Sequence, residues 1–249
     1  MLDLLYCELL KLKHSKLTGI SLLGVMATPV MMLTEALQTH MKHPGVSFTL
    51  TDIYRDSLLY MILLINMMIY VAVAAYLFSR EYTENTLKTI LPIPISRTNF
   101  LIAKFLVFYI WVIILTFFTW AGIFLLSGIY HVFIGMGGFS LSVALKWLLT
   151  FFIGNTLLFF VLSPVAFIAE QTKGLATPMI VAAVIMMGNA ALCNQDIGAL
   201  YPWTAIYFFI DGKVQTTGYP IWLSAAIILT VSLMGFLASF QYFKKEDLK

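Results

Sequence analysis

The chain has 249 residues, of which 61% are hydrophobic and 11% charged, and its formal net charge is +3. Charged residues make up roughly a quarter of a soluble domain, so this composition excludes an ordinary water-facing fold and puts the chain in the membrane class. Two cysteines, Cys7 and Cys193, form neither a disulfide framework nor a metal-binding spacing.

Residues 1–16 are too polar for a bilayer core yet regular enough for a helix. Leu2, Leu5, Tyr6, Leu9 and Leu12 recur at helical spacing on one face, with Asp3, Cys7, Lys11 and His14 opposite. Such a helix can lie in the membrane interface, its lysines near lipid phosphates. The rival is a signal peptide with 17–27 as its apolar part, but the apolar stretch runs on past the length of a signal core.

Apolar runs then predict six membrane spans at ~20 residues each: about 17–37 with a kink at Pro29, 57–79, 99–127, 145–169, 175–193 and 219–243. The expected fold is thus an all-α membrane protein forming a single transmembrane domain over 1–249. The stretch 194–217 is too apolar for a free loop and too short to cross. Tyr201, Trp203 and Tyr207 suit a lipid–water boundary, either as a helix on or dipping into the outer leaflet or as a plain aromatic anchor.

With six spans, segments 1–16, 80–104, 170–174 and 244–249 share one side. That side carries eleven of the 15 Lys and Arg residues, and Lys42, Arg55, Lys146 and Lys213 are the four on the other. The positive-inside rule places both termini and the 80–98 loop in the cytoplasm. Cys7 and Cys193 then lie on opposite sides and should not pair.

A phosphate loop needs glycines followed by Lys and Ser or Thr, and Gly135-Met-Gly-Gly has no such continuation. His40 and His43 stand at i, i+3 near Asp52 and Asp56, but two loop histidines make a weak metal signal, and no His-Glu-x-x-His occurs. An enzyme is not expected, nor a metal, a cofactor bound by this chain or a nucleic-acid partner. Glu35, Lys104, Lys146 and Glu170 fall near span ends, where they can snorkel. Asn66, Asn155 and Asn189 lie deeper; each can bond a neighbouring helix or line a route for a polar substrate.

The most charged interruption is Arg80–Lys104. Within it Thr83–Leu91 can form a short helix with Glu84 and Lys88 at i, i+4 and an apolar patch of Leu87, Ile90 and Leu91. Pro92 and Pro94 stop that helix, and Ser96 can cap the next span. A short bounded helix with exposed apolar residues suits docking; the alternative is a charged loop that only fixes topology.

Arg80-Glu81, Glu84, Thr86-Leu87, Leu91, Pro94, Ser96-Arg97 and Lys104 resemble the cytoplasmic signature of exporter-type, second-class ATP-binding-cassette permeases. The amphipathic start, Glu8-Leu-Leu-Lys11-Leu-Lys13, is similar to that family's interfacial connecting helix. Asn85 stands where the family commonly has Gly. In size and style the chain most resembles small Gram-positive permeases that confer bacitracin resistance or lantibiotic immunity.

The resemblance implies a permease subunit with two separate ATPase subunits that bind ATP and Mg, and a second permease, the same or a sister chain. It implies ATPase coupling through Glu81, Glu84, Thr86, Leu87, Lys88, Ile90, Leu91 and Arg97, with Glu8, Lys11 and Lys13 of the interfacial helix at the same junction. It further implies export of an amphipathic antimicrobial peptide drawn from the membrane. The alternatives are another cargo, such as sodium, a drug or a lipid, or a sensor or scaffold without transport.

Overall fold

In a bilayer the backbone has no water to bond, so a lone apolar segment satisfies its amides by coiling into a helix. The computed structural model, which describes residues 2–43, 48–83 and 96–245, is helical throughout that range apart from short turns and one isolated bridge, Thr49 to Gly137. The α-helices are α1 (Leu2–Lys13), α2 (Lys16–Val25), α3 (Ala27–Lys42), α4 (Leu50–Leu59), α5 (Ile65–Thr83), α6 (Arg97–Phe133), α7 (Leu141–Val161), α8 (Ser163–Thr172), α9 (Ala176–Leu192), α10 (Pro202–Asp211) and α11 (Ile221–Lys245).

Five stretches among the described residues are long and apolar enough to cross a membrane: Lys16–Lys42, Leu50–Thr83, Arg97–Phe133, Leu141–Thr172 and Ile221–Lys245; Ala176–Leu192 is apolar but shorter. Several of these stretches outrun the expected spans. At 1.5 Å per residue the 37 residues of α6 reach about 55 Å, well beyond a hydrocarbon core of about 30 Å.

Local sequence sets the helix ends. Thr49 accepts from the Asp52 amide while Asp52 accepts from the Thr49 amide, a capping box that opens α4. Ser96 accepts from the Asn99 amide at 3.1 Å and opens α6. The first long helix bends at Met26, between α2 and α3, as expected of Pro29: it has no amide proton for the Val25 carbonyl, so α2 ends there and Pro29 falls in the first turn of α3. The Leu141–Thr172 stretch bends at Leu162 for a related reason, since Pro164 cannot continue the ladder of α7 and starts α8 instead.

α4 and α5 are joined through a π-helical turn, Tyr60–Leu64, and form the centre of the bundle. In the most apolar part of this stretch 61% is buried, as in α6, against 22% for α11, which lies at the periphery. Gly235 brings α11 onto the bend of the α7–α8 stretch: a side chain there would collide with Ser163 and Pro164. The Ser163 hydroxyl also donates to the Ser232 carbonyl at 3.0 Å.

Residues 194–217 form a 3-10 turn (Asp196–Leu200), α10 and a second 3-10 turn (Lys213–Thr216). Ala205, Ile206, Tyr207 and Phe208 of α10 are buried, so this segment is packed into the bundle rather than laid on its surface. Its aromatic boundary reading is corrected accordingly for Tyr207, which is 6% exposed.

Candidate functional site

Four charged side chains from three helices meet at one end of the bundle. Glu8 and Lys11 come from α1, Glu81 from the last turn of α5 and Lys104 from the second turn of α6. Lys104 Nζ pairs closely with Glu81 and lies 3.5 Å from Glu8 Oε2. It also donates to the Leu77 carbonyl at 2.5 Å. Lys11 Nζ lies 2.5 Å from Glu8 Oε1 and 3.5 Å from Glu81 Oε1. Cations and carboxylates alternate, so each charge has an opposite neighbour.

Glu8, Glu81 and Lys104 are 3%, 2% and 3% exposed. At that depth a charge costs several kcal/mol unless it is paired and hydrogen-bonded, and here each is both. Lys104 is therefore not a snorkelling residue: it turns inward because two carboxylates wait there. Lys11 likewise leaves the lipid-phosphate role expected of it. Burial pushes its pKa down, but Glu8 and Glu81 outweigh that and hold it above the ordinary lysine value.

The packed face of α1 follows the cluster. Glu8 and Leu12 are buried and Leu4, Leu5 and Leu9 half-buried, whereas Leu2, Tyr6 and Lys13 are exposed. The expected apolar face was thus partly misplaced, because α1 presents its carboxylate to the bundle and leaves Leu2 and Tyr6 outside.

Neighbouring contacts draw further segments to this end. Arg80 donates to the Lys11 carbonyl at 3.1 Å, meeting one of the unfilled acceptors at the end of α1. Lys104 Nζ lies 5.2 Å from the Phe100 ring centre, and Phe100 stacks on Phe243 near the end of α11 at 5.9 Å. Arg97 donates to the Phe243 and Lys244 carbonyls at 3.4 and 3.3 Å. Lys173, at the αL cap of α8 with φ 52°, sits 5.0 Å over the Tyr82 ring. The 2–13, 80–83, 97–104, 172–173 and 243–245 segments therefore converge. Both described chain ends lie here, together with the helix ends at Thr83 and Arg97.

Of the residues expected to couple to an ATPase, Glu81 and Arg97 stand in this assembly. Glu84, Thr86, Leu87, Lys88, Ile90 and Leu91 lie outside the described residues. Arg80 and Lys104, which bound the charged stretch and belong to the signature it resembles, also stand in the assembly, as does Phe100, which the sequence reading did not single out. For the burial of Lys104 the signal is a lone lysine in an otherwise apolar stretch of α6, which needs a buried partner if it does not reach water.

The three deep asparagines are all fully buried but differ in their partners. Asn66 Oδ1 accepts from Thr28 and its amide donates to Thr119, each at 2.8 Å, which ties α3, α5 and α6 together. Asn189 donates at 2.9 Å to the Leu63 carbonyl in the π-helical turn, and Asn155 donates to its own helix at Phe151, 2.8 Å. The Oδ1 atoms of Asn155 and Asn189 have no protein partner. Asn66 is thus a structural tie, while the other two retain acceptor capacity next to the π turn. Glu170, expected near a span end, is instead buried at 1% exposure.

At the opposite end Asp211 closes α10. Its carboxylate receives Arg55 at 2.7 Å and Lys213 at 3.1 Å, and Lys213 also donates to the Tyr207 hydroxyl at 2.9 Å. Burial lowers the Lys213 pKa, but Tyr207 and Asp211 outweigh it and keep the value above the ordinary lysine range. No group of three or more His, Cys, Asp or Glu able to hold a metal occurs among the described residues.

The described residues thus place a junction of buried ion pairs at one end of a bundle of membrane-length apolar helices. The family comparison agrees: residues 4–189 match the model of the ABC-2 family transporter proteins, and the chain belongs to that family. It is a multi-pass membrane permease of an ABC transporter, a transport subunit rather than a catalytic one. Among characterised relatives it is 33% identical to the bacitracin transport permease protein BCRB of Bacillus licheniformis, over 207 residues that cover 83% of this chain and 97% of the relative.

Proposed function

We propose that this permease, with six spans and both termini in the cytoplasm, forms with a second permease copy or sister chain the pathway of an ATP-driven exporter. Two ATPase subunits bind ATP and Mg beneath it. The cargo is an amphipathic antimicrobial peptide of the bacitracin or lantibiotic kind, a reading that rests on the named relative. The sixth span is the Ala176–Leu192 helix, whose 17 residues lie at the lower limit for crossing a bilayer.

The observation that carries the mechanism is the cluster of Glu8, Lys11, Glu81 and Lys104. It joins α1 to the two helix ends that flank 84–95. A segment docked on an ATPase at Leu87, Ile90 and Leu91 would pull on Glu81 and Arg97 together. The cluster would then pass that movement to α1, and Phe100 and Arg97 would pass it to α11. Uncharged links could slip past one another, whereas a buried ion pair cannot separate without exposing a charge to a low-dielectric interior. Movement at the junction is therefore shared between helices as a unit.

Asn155 and Asn189 are the better candidates for lining the pathway, because each keeps an unused acceptor. The docking step is tested by Leu87→Asp with Ile90→Asp. The doubly substituted permease should insert normally yet no longer co-purify with its ATPase; wild-type co-purification would refute docking through this segment. A different cargo is the nearest alternative reading, and ATP-dependent efflux of bacitracin from vesicles distinguishes the two.

A further inference from the structure

The side of the bundle formed by α6, α7 and α11 is not smooth. Two apolar hollows of about 380 and 410 Å³ lie along it, and Phe160 and Phe236 wall both. They thus form one groove in two lobes. The first lobe runs from Phe209 and Ala225 to Phe236; the second continues to Phe240 and Ile102, towards the end of the bundle that holds the charge cluster. The polar groups in its walls are already engaged: Tyr109 and Thr156 share a hydrogen bond at 3.2 Å, and Ser232 donates to the Ile228 carbonyl at 2.6 Å. The rim residues Leu106, Phe160, Leu229 and Leu233 are 41–59% exposed, so the groove opens sideways onto the surface that faces lipid.

We propose that this groove is a phospholipid-binding site, with an acyl chain lying along the two lobes and the phosphate held at the basic end of α11. Two observations choose this occupant. A helix is about 10–12 Å across with its side chains and needs a trough several times larger than either lobe. A methylene takes up about as much space as a water molecule, roughly 30 Å³, so each lobe accommodates about a dozen methylenes. At the terminal end of the groove Lys244 and Lys245 are exposed in the last turn of α11. The Arg97 guanidinium lies beside them at the Phe243 and Lys244 carbonyls. That rim offers a phosphate the cations it needs; the sequence continues with Glu246, Asp247 and Lys249, beyond the described residues.

The test uses the whole permease in nanodiscs that contain phosphatidylglycerol with a photoactivatable group on its acyl chain. Peptide mapping after irradiation should find labels concentrated at Leu157, Leu229 and Leu233 rather than at Ile180, Val184 and Met187, an exposed apolar face of α9. Leu106→Trp with Leu229→Trp fills one rim position in each lobe. It should lower labelling in the groove roughly tenfold, the change produced by losing about 1.4 kcal/mol of contact, while α9 labelling stays as it was. Lys244→Glu with Lys245→Glu should strip the co-purifying phospholipid seen by native mass spectrometry. Even labelling of both faces would overturn the site, and unchanged lipid retention after charge reversal would overturn the headgroup placement. Disulfides between permease copies carrying Cys at positions 106 and 233 would make the groove a subunit contact instead, and the proposal would fail.

Discussion

At the residue scale the cluster of Glu8, Lys11, Glu81 and Lys104 behaves as one unit, and its energetics follow from burial. Lys104→Met leaves Glu81, 2% exposed, without its closest counter-ion. Removing one partner of a buried pair costs about 3–5 kcal/mol, whereas replacing both with apolar residues is often nearly neutral. Thermal unfolding of the purified permease should therefore show a large loss of stability for Lys104→Met and a smaller one for Lys104→Met combined with Glu81→Met. Equal losses would mean that the two side chains are not energetically coupled. The identities of these residues were visible in the sequence, but their meeting was not. Lys104 is a single cation in an apolar run, and a lysine near a span end ordinarily reaches water. Only the fold reveals that a carboxylate 96 positions earlier and another at the end of α5 lie close enough to turn it inward. The asparagines make the same point: all three read alike along the chain, yet the Thr28–Asn66–Thr119 chain of hydrogen bonds gives one of them a structural task that the other two lack.

At the element scale the helices were legible because length and hydropathy alone demand them in lipid. The Ser96 cap was legible too, since a serine before an apolar run has few better uses. Local packing was less so. Pro29 and Pro164 each break a helix on their N-terminal side, at Met26 and Leu162; that α11 packs against the second bend was not legible. Two features of α11 make that contact possible, the missing side chain at Gly235 and the Ser232 carbonyl that receives Ser163. Close approach through small residues is how helices associate when lipid is as apolar as their side chains. Gly235→Val should push α11 away from the Ser163–Pro164 bend and cost about 1–3 kcal/mol, the usual range for overpacking. The check is the detergent concentration or temperature at which the purified permease unfolds. A variant as stable as the wild type would show that the contact yields without cost. The segment 194–217 misled for a related reason: its tyrosines and tryptophan match the composition of a boundary belt, but α10 turns Tyr207 and Phe208 into the bundle, and Asp211 anchors it through Arg55 and Lys213.

At the scale of the whole molecule, membership of the ABC-2 family and the convergence of α1, α5, α6 and α11 at one end support a division of labour. In the function proposed above, chemistry would belong to separate ATPase subunits, and this chain would convert their motion into a change of helix arrangement. The charge cluster is the joint on which that account depends, since it links α1, α5 and α6 on either side of 84–95. The direct measurement is the ratio of bacitracin transport to ATP hydrolysis in the reconstituted permease–ATPase complex, with Lys104→Met plus Glu81→Met compared against the wild type. The double substitution keeps the junction packed but removes the ionic link. ATPase association and hydrolysis should persist while transport per ATP falls at least about tenfold, within the usual span of coupling free energies. Transport that stays in proportion to hydrolysis would contradict it.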